Sequence, residues 1–119
     1  MIRNWDDICS DYERLSSKDN KFLSIYNLVV SVRDSNFSNH IYGWTSVCDL
    51  YIVQNEVNYP YEGPKLLVRQ LECNKLEFRY IDTYEAERQW NRVFDGSDGF
   101  GKLKKLFFDL HWFYPNFIK

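Results

Sequence analysis

The sequence predicts an α+β fold: N-terminal helices, an antiparallel meander sheet of about four strands, and a C-terminal helix packed on one face. Three observations carry this. Apolar residues recur at helical spacing near both ends of the chain. Between them, over residues 42–94, the period changes to alternation, with short polar turns separating the alternating runs. Finally, the 119 residues include four Trp, nine Tyr and nine Phe, enough large side chains to fill one sizeable core. The length suits a single globular domain over residues 1–119.

The elements follow in order. Asn4 is placed to cap a first helix, with Asp6 and Asp7 near its positive end. Trp5, Ile8, Tyr12 and Leu15 make its apolar stripe, and Ser16-Ser17-Lys18 ends it. Asp19 is placed to cap a second segment over residues 20–33. There Phe22, Ile25, Val29 and Val32 keep the helical period, while Leu28, Val30 and Val32 also alternate. Helix and strand both fit, and helix is the expectation. Over residues 42–53 the alternation is unbroken and predicts one long strand, with Trp44, Ser46, Cys48, Leu50 and Ile52 on a common face. Residues 55–64 form a loop stiffened by Pro60 and Pro64. Leu66, Leu67 and Val68 open a second strand, and Leu76, Phe78 and Tyr80 alternate in a third after a turn at residues 72–75. A weaker fourth strand covers residues 88–94. Asp95-Gly96-Ser97-Asp98-Gly99 then breaks the chain, and Phe100, Leu103, Phe107 and Leu110 start a last helix that Pro115 should stop. Lys102, Lys104 and Lys105 fall in its early turns, where the helix dipole disfavours them. Something other than helix stability selects them. The expected core is Trp5, Ile8, Ile25, Val29, Leu50, Ile52, Leu67, Phe78, Trp90, Leu103, Phe107 and Leu110.

A net charge of −2, with 45% apolar and 27% charged residues, gives no general attraction to nucleic acid and no sign of disorder. The apolar runs are too short to span a membrane, and the N-terminus turns acidic where a signal sequence would turn apolar. Cys9, Cys48 and Cys73 are odd in number and far apart. They are expected as buried small hydrophobes of a reducing cytoplasm.

Chemistry is hard to place on this chain. His40 and His111 are the only histidines, with no Cys, His or carboxylate at metal-ligand spacing, so neither a metal nor another cofactor is expected. The run Gly96-Ser97-Asp98-Gly99-Phe100-Gly101 is glycine-rich, but Asp95 and Asp98 would repel a phosphate. His111 lies in Leu110-His111-Trp112-Phe113, where a core or capping role fits better than acid–base work. In a strand, Phe78 and Tyr80 share one face and Arg79 the other, so they build no base-stacking platform. What remains is recognition. Tyr59, Tyr61, Glu62, Asp82, Tyr84, Glu85 and Glu87 set tyrosines among acids in connecting segments. Such surfaces are rigid, amphipathic and negatively rimmed, and steer a basic protein partner. These seven are the expected partner-binding residues.

Ile41-Tyr42-Gly43-Trp44-Thr45-Ser46, Asp49-Leu50-Tyr51-Ile52-Val53, Gln89-Trp90-Asn91-Arg92-Val93 and Leu110-His111-Trp112-Phe113 resemble small single-domain bacterial proteins of toxin–immunity loci. The resemblance implies an α+β fold without catalysis, and tight binding of a cognate toxin, often across its active site. It carries over no binding residues, because such families diversify at the interface. The expectation is therefore a non-enzymatic immunity protein acting on a toxin, with a nuclease as one toxin class. The alternatives are a small RNase using His40 and His111, or an adaptor subunit of another complex. Homodimerisation is a further expectation, since aromatic content this high favours covering an exposed patch.

Overall fold

The computed structural model describes residues 2–56 and 62–113. Three helices, α1 (Trp5–Lys18), α2 (Leu23–Arg33) and α3 (Gly99–Asp109), accompany five strands. The strands are β1 (Tyr42–Ser46), β2 (Asp49–Val53), β3 (Pro64–Gln70), β4 (Lys75–Asp82) and β5 (Trp90–Asp95). They lie side by side in chain order, each antiparallel to the next.

The helices cover one face of this sheet. On it Leu50, Val68 and Phe78 line up across β2, β3 and β4, and Ile52, Leu66 and Tyr80 form the next row. All six are buried in the same cluster as Trp5, Ile8, Ile25, Val29, Leu103 and Phe107. Burying each such side chain stabilises the fold by roughly 1.5–3 kcal/mol. At the head of α1 the Asn4 side chain accepts from the Asp7 N–H at 2.8 Å, the expected cap. The ambiguous segment resolves into a short 3-10 turn (Asn20–Phe22) and α2, whose Ile25, Leu28, Val29 and Val32 are buried at helical spacing.

One expected strand is two. Val47 (φ 48°) and Cys48 (φ 70°) fold residues 42–53 into a two-residue hairpin, so the sheet has five strands rather than four. Positive φ at both turn residues matches the twist of the flanking strands, although it strains a β-branched residue. The Tyr12 hydroxyl holds the turn by donating to the Cys48 carbonyl at 2.9 Å, and burial keeps that phenol protonated far above its ordinary range. The turn also reverses the facing of β1. Trp44 does not share a face with Leu50 and Ile52; it pairs with Tyr51 and stacks on it (5.2 Å, 6° between planes) on the second face.

Other expectations are corrected in the same way. Trp90 and Leu110 are half-buried at the margin of the core. Leu67 is buried, but in register with Tyr51 it belongs to the second face. Cys9 is buried as expected, whereas Cys48 and Cys73 are exposed, because both are positive-φ turn residues. The last helix ends before Pro115 matters. His111 (φ 59°) donates its N–H to the Phe108 carbonyl, and Trp112 donates to that of Phe107. Trp112 then stacks on Phe107 at 5.6 Å, completing a Schellman cap with its apolar contact.

Candidate partner-binding surface

A meander sends alternate connections to the same end of its sheet. The β2–β3 and β4–β5 connections therefore leave the sheet at one end; Glu62, Tyr84, Glu85 and Glu87 belong to them, and Asp82 is the last residue of β4. Tyr59 and Tyr61 lie outside the described residues. The other five are placed as follows.

The two connections are joined directly. Gly63 donates its N–H to Thr83 Oγ1 at 2.6 Å, next to the Pro64–Asp82 register pair. Gly63 has φ 93°, and a Cβ there would come within 2.9 Å of the Tyr84 ring. Glycine is thus required twice, for the backbone and for the close approach of the ring. Glu62 follows as the exposed neighbour of this contact. Tyr84 remains 69% exposed despite it, and Glu85 and Glu87 are exposed beside it.

Asp82 differs from the expectation of a surface carboxylate. It is only 5% exposed. Its Oδ1 accepts from the N–H groups of Tyr84 (2.9 Å) and Glu85 (3.2 Å), and its Oδ2 accepts from the Tyr80 hydroxyl at 3.4 Å. Its own N–H donates to Gln89 Oε1 at 3.1 Å. The carboxylate is consumed in fixing the loop, as aspartates do in Asx turns. Tyr80 lies on the helix-covered face and is buried. Burial first, and the Asp82 charge second, raise its phenol above the ordinary value. One further acid is partly spent: Glu85 pairs with Arg88 at 2.8 Å. Among the described residues, the end that results is a hydrogen-bonded platform bearing exposed Tyr84, Glu62, Glu85 and Glu87.

Sequence reasoning did not foresee the charged network on the second face. Arg69 binds Asp49 through two hydrogen bonds (3.1 and 2.9 Å). Glu77, 9% exposed, lies between Arg69 (3.8 Å) and Arg79 (3.4 Å) and accepts from Asn91 at 3.1 Å. Alternation did put Glu77 and Arg79 on one face, but their partners come from β2, β3 and β5, and only the register brings them together. The network satisfies itself, since each charge in it has an opposite neighbour.

No group of three or more His, Cys, Asp or Glu side chains among the described residues is arranged to hold a metal. His111 is exposed and serves the helix cap, and the His40 ring meets the edge of Phe113 at 6.3 Å. A cleft of about 520 Å³ between α2 and the β3–β4 turn has Leu28 and Phe100 among its lining, with Asn27, Ser31 and Cys73. Among the described residues no helix is long and apolar enough to cross a membrane. No protein family, curated protein or solved structure matches the chain.

Proposed function

We propose that this protein is a non-catalytic binding module of the toxin–immunity type, acting in the cytoplasm, which neutralises a cognate bacterial toxin by occluding its active site. The observation that carries the reading is Tyr84, 69% exposed on a loop locked by Asp82 and Thr83 and flanked by exposed glutamates. A tyrosine on a rigid loop loses little entropy on binding and buries a large amphipathic ring. Glu62, Glu85 and Glu87 add a negative rim suited to a basic groove. Where the toxin is a nuclease, that groove binds phosphates, and carboxylates at this end take their place. The resemblance to immunity proteins points the same way.

The test is co-expression with the product of the neighbouring gene. The wild-type chain should restore growth and co-purify with that product. Tyr84→Ala combined with Glu85→Lys should lose capture by about tenfold or more, while unfolding free energy changes by less than about 0.5 kcal/mol, as for other exposed positions. Rescue untouched by both changes would move the surface elsewhere. No rescue and no capture by the wild type would overturn the immunity reading.

A further inference from the structure

Independently of that surface, we propose that the open edge of β5 and the adjoining flank of α3 form a second docking site, which takes an acidic, extended segment of a partner protein as an added strand.

The two edges of the sheet are finished differently. At β1 the Arg3 N–H donates to the Gly43 carbonyl at 2.9 Å, an isolated bridge that occupies part of that edge. Among the described residues β5 pairs with β4 alone. Its Asn91, Arg92 and Val93 are exposed, Val93 by 52%. An unpaired edge offers a row of backbone donors and acceptors to another chain.

Charge says which chain. Most cations of this protein are neutralised within it: Arg3, Arg14, Lys21, Arg33, Arg69, Lys75, Arg79 and Arg88 all have carboxylate partners within 4.0 Å. Among the described residues, Lys18, Lys65, Arg92, Lys102, Lys104 and Lys105 have none at that distance, and of these Arg92, Lys102 and Lys105 lie on β5 and the adjoining flank of α3. Arg92 instead lies over the Trp90 ring at 4.5 Å, and Lys102 over Phe94 at 5.2 Å. Lys105 is one helical turn from Lys102, on the same flank of α3, beside an open cleft of about 410 Å³ that includes Gly101 and a single acid, Asp98. The rings hold the cations in place without neutralising them. These are two of the three lysines whose early position in α3 the helix dipole disfavours, and a role in binding accounts for that cost.

A strand added at β5 would project alternate side chains toward Arg92 and the α3 flank, where carboxylates find unpaired cations. Single-stranded nucleic acid fits less well, because the cations already cover ring faces that bases would stack on. A second copy fits less well too. Twofold pairing of β5 would bring Arg92, Lys102 and Lys105 of both copies together, like charge against like.

The probe is a fluorescein-labelled peptide of about ten residues alternating Glu and Val, a length that spans an edge strand, measured by fluorescence anisotropy with the full chain. Saturable binding that weakens with salt is expected. Lys102→Glu with Lys105→Glu should weaken it by about tenfold or more, Lys102→Glu alone should weaken it measurably, and Lys18→Glu, which matches that single variant in charge but lies on α1, should leave it alone. Methylating alternate peptide nitrogens, in either register, should abolish binding in the register that faces β5. Equal binding of both methylated peptides would overturn strand addition. The proposal also fails if the peptide does not bind, if oligothymidylate of equal length binds more tightly, or if sedimentation shows a dimer that the peptide cannot dissociate.

Discussion

The Tyr84 end and the β5–α3 flank are surfaces of opposite charge, built by opposite means. At the Tyr84 end the carboxylate nearest the backbone, Asp82, is buried and spent on the loop, and Glu85 has Arg88 beside it. What reaches solvent is a tyrosine ring and the remaining acids. At the flank the aromatic rings are half-buried, and Arg92 and Lys102 stand outward on them, without carboxylate partners among the described residues. One end thus uses charge to hold an aromatic ring out, and the other uses aromatic rings to hold charge out. The difference teaches that a charged residue advertises a binding surface only when its partner lies outside the molecule.

The scaffolds beneath the two surfaces can be broken separately. The flank depends on Gly96, which joins β5 to α3 and donates its N–H to the Asn74 carbonyl at 2.7 Å. A Cβ at this position would lie 2.6 Å from that same oxygen and closer still to the Ser24 hydroxyl. The Ser24 hydroxyl can turn away, but Ser24 Cβ at 2.4 Å and the Asn74 carbonyl can give way only if the backbone shifts. Gly96→Ala should cost about 2–3 kcal/mol, the upper part of the usual range for overpacking, and lower the melting temperature by roughly ten degrees at this chain length. Partner capture by the fraction that remains folded should persist, because the Tyr84 loop is at the other end of the sheet. A variant that melts with the wild type would show that β5 and α3 are not tightly joined.

The Tyr84 end depends on Asp82, and its expected effect is smaller. Asp82→Ala leaves the N–H groups of Tyr84 and Glu85 without their acceptor, at about 1–2 kcal/mol. Asp82→Asn keeps an oxygen in place and should recover most of that loss in denaturant unfolding. Peptide binding at β5 should be unchanged in both. If Asn proves as damaging as Ala, the charge rather than the hydrogen bonds secures the loop.

Much of the fold was legible because it rests on periodicity. The α1 stripe, β3, β4 and α3 bury most of the positions their spacing assigns to the core, with Leu15, Phe100 and Leu110 half-buried at its margin and Leu67 on the second face. The β1–β2 hairpin was hidden because its turn residues, Val47 and Cys48, carry none of the glycine or asparagine that signals positive φ. Alternation runs through the turn without a break, and the tertiary hydrogen bond from Tyr12 replaces the local signal. The candidate surface was legible as a cluster in sequence, but Asp82 was misplaced within it. Burial there depends on a loop folding back over its own carboxylate, which composition does not encode. The early lysines of α3 stand out in the sequence against the helix dipole. The ring beneath Lys102, Phe94, comes from β5, and only the fold brings the two together.

The smallest effect concerns the buried phenol beneath the Tyr84 loop. Tyr80 is raised above the ordinary tyrosine value of about 10 by burial and by Asp82. In the folded chain it therefore keeps its proton at a pH where the unfolded chain has lost it. The sign follows: its contribution is fully present below the unfolded value, and stability falls as pH rises from there toward the folded one. Asp82→Asn removes the second cause and leaves the first, so the Tyr80 transition should move down while staying above that of an exposed tyrosine. Ultraviolet difference absorbance between Asp82→Asn and the wild type reads this directly, with Tyr80→Phe identifying the transition. Among the described residues the basic flank holds no tyrosine, and it should contribute nothing to the difference. If the titration curves coincide, the Tyr80 hydroxyl does not feel the carboxylate, and the 3.4 Å hydrogen bond between them is no part of what holds the Tyr84 loop rigid.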